Sequence, residues 1–362
     1  MIDPWGSKLI DKYMKVFEDF GIEKITENTK SLINHPFFER NIIVGQRDLN
    51  KILEQIKNKK PFINVTGIAS SSPLHFGHKV IIDIFNLFKK LGGKNYFAVC
   101  DLDAYISRPD TKISSLKKAQ EYAMDVIANA LALGVDEKEI YLQSKKDNSY
   151  FTLSNIFYKK FTENEIKAVL GHLEFGKIAA VTLQMADILH TQLKEYEGPL
   201  PTIVPIGLDQ DPILRLTRDM VRRTKEQFNF ELPSTIYVAH QPSLLNDQQK
   251  MSSSIEGSAI FLNDEPKIVN KKIDRAFTGG RDTEKEQRKI GGNPDICKVC
   301  TFLRFHYPDS NKVSKIVEDC YSGKILCGET KQILKDFINK FIEEHKEKYE
   351  KSLEIAKNIV AK

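Results

Sequence analysis

A chain of 362 residues is too long for one small core and predicts two or three domains. Apolar residues at 41% and charged residues at 28% form an ordinary globular balance, which excludes a disordered or fibrous chain. The net charge of +5 suits a polyanionic partner without proving one, and no run of 18 apolar residues marks a membrane span. The start, MIDPWGSKLIDKYMKVFEDFG, carries charges throughout and lacks the apolar core of a secretory signal. With an odd set of five cysteines, the protein is expected to be cytoplasmic with reduced thiols.

In chain order, residues 1–50 read as a helical extension. Leu9, Ile10, Tyr13, Met14, Val16 and Phe17 recur at helical spacing until Gly21 stops the run. The stretch Phe62-Ile63-Asn64-Val65-Thr66-Gly67 predicts a buried strand, followed by a small-residue turn and a helix from about Gly77 to Leu91. A second strand, Asn95 to Cys100, ends at Asp101. Strand, turn, helix, strand is the order of a parallel sheet. The pattern resumes with a helix over 115–133, a strand over 139–143, helices through 163–195, and strands over 202–206 and 235–239. From about 267 the strand signals nearly vanish, and Lys331–Lys362 reads as an amphipathic helix. These boundaries predict a catalytic domain over 51–266, with an insertion near 101–195, and a helical domain over 267–362.

Three constellations carry chemistry. Pro73-Leu74-His75-Phe76-Gly77-His78 follows a strand and opens a helix. Backbone N–H groups at a helix start bind phosphate, Gly77 allows close approach, and two histidines offer donors to a charged transition state. Alone, the same letters also describe a histidine-capped helix start. Lys250-Met251-Ser252-Ser253-Ser254 lies in a polar loop, where an ammonium and hydroxyls suit a grip on pyrophosphate. Alone, it also describes a solvated Lys/Ser loop. In Thr182-Leu183-Gln184-Met185-Ala186-Asp187-Ile188-Leu189-His190, Gln184 and Asp187 share one helix face. A buried acceptor there would match a ligand group that only donates.

The first two motifs, in this order and about 170 residues apart, resemble the HIGH and KMSKS signatures of class I aminoacyl-tRNA synthetases. Pro205-Ile206-Gly207-Leu208-Asp209-Gln210-Asp211-Pro212 resembles the segment that tryptophanyl-tRNA synthetases carry between them. So does Ala276-Phe277-Thr278-Gly279-Gly280-Arg281-Asp282-Thr283 after the lysine loop, and Asp3-Pro4-Trp5 matches archaeal and eukaryotic members. The resemblance implies an α/β fold: a Rossmann-type parallel-sheet catalytic domain with a helical C-terminal anticodon-binding domain. It implies ATP-dependent activation of L-tryptophan and transfer to tRNA(Trp), with Mg²⁺, by a homodimer. His75, His78 and Lys250 take the catalytic roles. Thr66, Gly67, Gly77, Gly207, Asp209, Met251, Ser252 and Ser253 are expected to hold ATP, and Gln184, Asp187 and Gln210 the tryptophan.

Two departures sharpen the expectation. Relatives of the human type read the indole with a tyrosine where this chain has Val65, whereas Met-Ala-Asp-Ile-Leu resembles bacterial members that use the aspartate. Asp187, joined by Gln184, is therefore expected to read the indole. The spacing Cys297-x22-Cys320-x6-Cys327 resembles members that bind a [4Fe–4S] cluster, but Thr330 stands where those have a fourth cysteine. Structural thiols are expected, with an iron–sulfur cluster or zinc at Cys297, Cys300, Cys320 and Cys327 as the alternative.

Overall fold

The computed structural model describes residues 13–171, 173–246 and 249–361. The Asp3-Pro4-Trp5 motif lies outside them. Seven strands form one sheet: β1 (Glu23–Lys24), β2 (Ile43–Arg47), β3 (Phe62–Ala69), β4 (Gly93–Cys100), β5 (Ile140–Leu142), β6 (Thr202–Gly207) and β7 (Ser234–Val238). Their order across the sheet is β1-β2-β7-β6-β3-β4-β5. The five from β3 to β7 run parallel, whereas β1 and β2 pair antiparallel at one edge.

That edge corrects the helical reading of residues 1–50. Helices do occur there, at Tyr13–Phe20 and Leu49–Lys57, but Ile43–Arg47 is a strand paired with β7. Its run of β-branched residues is short, and burial of Ile42 and Ile43 in the cluster containing Ile236 and Val238 decides its state. Helical periodicity upstream gives no hint of that long-range pairing.

The order in which strands are added reverses between β3 and β6. From β3 the sheet grows through β4 and β5 to one side, and from β6 through β7 to the other. A parallel sheet opens a crevice at such a point, outside the carboxyl ends of the strands. The buried hydroxyl of Thr66 donates to the Pro205 carbonyl at 3.0 Å and ties the two central strands together there.

Helices cover both faces. The helix Phe76–Lys90 buries Phe76, Val80, Ile84, Phe85 and Phe88, and the helices after 266 close over its start. The Phe76 ring meets Phe302 at 5.1 Å, Phe341 at 5.2 Å and His306 at 5.0 Å between centroids. The terminal helix Cys327–Ala361 packs along Leu116–Ala132, with His345 Nε2 to Asn129 Oδ1 at 2.8 Å and the Tyr349 hydroxyl donating to Asp125 at 2.9 Å. One apolar cluster runs from Phe97 and Val99 of the sheet to Leu334, Ile342 and Ala356 of that helix. The helical C-terminal part thus shares a core with the sheet. No described helix is long and apolar enough to cross a membrane.

Candidate active site

A cavity of about 670 Å³ opens at the carboxyl ends of β3 and β6, within the range of small-molecule sites. Its wall contains each residue expected to act in catalysis or to hold ATP or tryptophan: Thr66, Gly67, His75, Gly77, His78, Gln184, Asp187, Gly207, Asp209, Gln210, Lys250, Met251, Ser252 and Ser253.

His75 and His78 are fixed by the helix they begin. His75 is the N-cap of Phe76–Lys90, and its Nδ1 accepts from the Gly77 N–H at 3.1 Å. The His75 N–H donates in turn to His78 Nδ1 at 3.2 Å. With both Nδ1 atoms accepting, each neutral ring carries its proton on Nε2. Burial keeps both rings neutral: His75 titrates well below 6.5, and His78 is pushed down to about 4, with the Lys250 charge adding to the effect. They are hydrogen-bond donors and not cations at neutral pH. Activation should therefore show no titration of these two rings between pH 6 and 8, a point the pH profile of single-turnover kinetics checks. A step near pH 6.5 that disappears in His78→Gln would contradict the assignment.

The first signature segment is bound through the backbone to the stretch that follows the lysine loop. Phe76 N–H donates to the Ile260 carbonyl at 3.1 Å, and Leu262 N–H to the Leu74 carbonyl at 2.9 Å. Met251 N–H donates to Gln241 O at 2.8 Å, and the Ser258 hydroxyl closes the loop onto Ser252 O at 2.7 Å. Lys250 reaches across to Asp209, with Nζ 2.6 Å from Oδ2, while His240 Nε2 lies 3.0 Å from Oδ1. Burial opposes ionisation of Asp209, but His240 and Lys250 prevail and hold it well below the usual carboxylate range. Gly207 makes room for this cluster: a Cβ there would stand 2.6 Å from Asp209 Oδ1 and 2.9 Å from His240 Nε2.

At the other end, Asp187 is buried and receives the hydroxyls of Tyr141 and Tyr150 at 2.9 Å each and Gln143 Nε2 at 2.6 Å. The Cys100 thiol lies 3.9 Å from its Oδ2 and lines the cavity. Burial raises the Asp187 carboxyl to about 7, outweighing the hydrogen bonds from Gln143, Tyr150 and Tyr141. A carbon-13 titration of labelled aspartate should show one carboxyl with a midpoint near 7 that vanishes in Asp187→Asn. A midpoint below 5 would mean that the donors win. His190, one turn along, turns away: its Nδ1 bonds the Ala186 carbonyl at 2.9 Å in the interior.

Sequence reading missed Asp103, Arg108, Lys112, His240 and Gln241, which also line the cavity. Asp103 follows the carboxyl end of β4, a position that parallel-sheet topology marks, and that was the available signal. Arg108 and Lys112 bring two more cations, and burial together with the Arg108 charge lowers the Lys112 ammonium. An anion would relieve that crowding.

The cysteines lie apart from this cavity. Cys297 caps the helix Lys298–His306 through the Cys300 N–H, 3.5 Å from its sulfur, and the Cys327 thiol turns to Gln287 Oε1 at 3.6 Å. Among the described residues, no three His, Cys, Asp or Glu side chains converge to hold a metal ion. The four thiols still lie near one another, since Cys297, Cys320 and Cys327 all push the Cys300 thiol up. Protein prepared without oxygen should be colourless and carry only substoichiometric iron and zinc. A brown preparation with stoichiometric iron and sulfide would overturn this.

Residues 57–343 match the model of the class I tRNA synthetases for tryptophan and tyrosine. The chain belongs to that family. The synthetase is 40% identical to the tryptophan–tRNA ligase of Aeropyrum pernix, over 99% of this chain and 97% of that one. It is 39% identical to the tryptophan–tRNA ligase of Methanocaldococcus jannaschii, over 99% and 98%. Its fold is similar to the crystal structure of the tryptophanyl-tRNA synthetase of Aeropyrum pernix, with a TM-score of 0.90 at 38% identity over 97% and 96% of the chains.

Proposed function

We infer that this synthetase joins L-tryptophan to ATP as tryptophanyl-adenylate and transfers the acyl group to the 3′-terminal adenosine of tRNA(Trp). The observation that carries the reading is one cavity that unites the two signature segments with the half-buried amide of Gln184 and the buried carboxylate of Asp187. Near-full-length similarity to tryptophan–tRNA ligases supports the choice of amino acid.

In the first step a tryptophan carboxylate oxygen attacks the α-phosphorus, the acyl–phosphate bond forms, and pyrophosphate leaves. In the second, a ribose hydroxyl of the tRNA attacks the acyl carbon and AMP leaves. Neither step needs a nucleophile from the protein, so catalysis is positioning and charge stabilisation. Thr66, Gly67, Gly77 and Met251 frame the nucleotide, Gly207 and Asp209 take the ribose, and Gln210 takes the α-ammonium. His75 and His78 donate from Nε2 to phosphate oxygens. Lys250, Ser252 and Ser253 take the pyrophosphate, with Arg108 and Lys112 as further cations. Mg²⁺ accompanies the triphosphate, whose oxygens are its natural ligands.

The helices after 267 are assigned to the anticodon, and a cytoplasmic homodimer is the proposed form. Pyrophosphate exchange with ATP, run with tryptophan and tyrosine side by side, tests the reading. Tryptophan should support exchange at least ~100-fold better, the scale by which a site built around polar groups rejects a mismatched side chain. Equal rates, or a preference for tyrosine, would overturn it.

A further inference from the structure

Strands β6 and β7 run parallel, and Gly207 of one stands opposite Val238 of the other. Asp209 and His240 each follow that rung by two residues, so the sheet itself delivers both to one end of the cavity. Gly207 keeps the gap between them clear, because a Cβ there would lie 2.6 Å from Asp209 Oδ1 and 2.9 Å from His240 Nε2.

The two oxygens of Asp209 have unlike partners. Oδ2 is paired with Lys250, which belongs to the polar loop and is assigned to the pyrophosphate. That partner has work elsewhere and must let go. Oδ1 faces His240 Nε2 at 3.0 Å, and this partner has no second task. Its other ring nitrogen, Nδ1, is buried without a hydrogen-bond partner among the described residues. A carboxylate only accepts, so the nearer nitrogen carries a proton directed at Oδ1. One oxygen is thus held by the wall, and the other by a side chain that leaves.

A ribose hydroxyl is a donor, and it bonds best to an acceptor whose lone pairs already point at it. A carboxylate free to turn about its Cβ–Cγ bond would have to be ordered by every nucleotide that binds, whereas one fixed beforehand would not. We propose that His240 is a positioning residue for nucleotide binding: by pinning Asp209 Oδ1, it presents Oδ2 as the acceptor for a ribose hydroxyl once Lys250 leaves it. This rests on the reading of the cavity as an ATP site with Asp209 at the ribose. Burial opposes ionisation of Asp209, and the His240 contact helps to offset it, so the acceptor stays available.

The test is tryptophan-dependent pyrophosphate exchange with ATP, 2′-deoxyATP and 3′-deoxyATP. Wild-type enzyme should favour ATP over at least one deoxynucleotide roughly 10- to 150-fold in kcat/KM, the range for one hydrogen bond to a charged group. His240→Asn places its amide where Nδ1 now stands, short of Asp209, whereas His240→Gln carries an amide NH₂ to the place of Nε2. The Asn variant should lose at least about threefold of that preference, the scale of ordering one side chain on binding. The loss should come through a higher KM for ATP, with the KM for tryptophan unchanged, and the Gln variant should recover most of it. A wild-type preference in His240→Asn, equal losses in the two variants, or parallel loss with all three nucleotides would overturn the proposal. So would a bare His240 Nε2 in the histidine nitrogen-15 spectrum of the wild-type enzyme, a check that needs no variant to fold. Wild-type indifference to both hydroxyls would remove the ribose assignment and the proposal with it. Absence of tryptophan-dependent exchange would instead remove the underlying functional reading.

Discussion

Replacing Lys250 with alanine is expected to slow adenylate formation at least ~100-fold, the scale seen when one transition-state charge contact is lost. The structure adds a second expectation. Lys250 is paired with Asp209 Oδ2, an oxygen of the carboxylate assigned to the ribose, so its ammonium competes with the nucleotide for that oxygen. Its removal leaves Asp209 held by His240 alone, with Oδ2 free. Activation should therefore fall in kcat, whereas the KM for ATP should stay level or drop. Tryptophan affinity should not move, because Gln184 and Asp187 stand at the other end of the cavity. Single-turnover activation with ATP titrated at saturating tryptophan separates these terms. A rate within a few-fold of wild type would remove Lys250 from the chemistry. A steep rise in the KM for ATP would instead make it a ground-state binding residue.

The parts of the site legible in sequence were those in which a local run carries both the element and its chemistry. The run from Phe62 to His78 specifies strand, turn, histidine cap and helix in consecutive residues, and the structure has β3 followed by a helix capped by His75. The glycine at 207 and the carboxylate at 209 lie two residues apart at the end of one strand. What stayed hidden arises between elements. No local pattern announces that Tyr141, Gln143 and Tyr150, from a strand, a short turn and a helix, all converge on Asp187. His240 likewise gains its meaning only from Asp209, a residue of the neighbouring strand's end. The antiparallel edge was missed for the same reason, since Ile43–Arg47 is a strand only because β7 is there to pair with it.

That contrast shapes the expected result for Asp187→Ala. Loss of a free acceptor facing an indole would cost about 10- to 150-fold in kcat/KM for tryptophan. The structure places three donors on that carboxylate, all from the protein, with the Cys100 sulfur beside it at 3.9 Å. Alanine would leave two tyrosine hydroxyls and an amide unpaired in a buried site. Each such group costs about 1–3 kcal/mol unless water or a rearrangement serves it, so stability should fall by about 3 kcal/mol or more. Activity should fall as well, through Gln143: released from Asp187, it no longer holds the Asp103 backbone in register. A direct contact and an anchor are told apart by pairing urea denaturation with the comparison of tryptophan and its benzothiophene analogue. If Asp187 touches the indole, alanine abolishes discrimination while stability barely changes. If it is the anchor, stability falls steeply, and the molecules that stay folded lose activity with both substrates in parallel. The second outcome is expected, because two tyrosine hydroxyls and the Gln143 amide already hold that carboxyl group from the protein side.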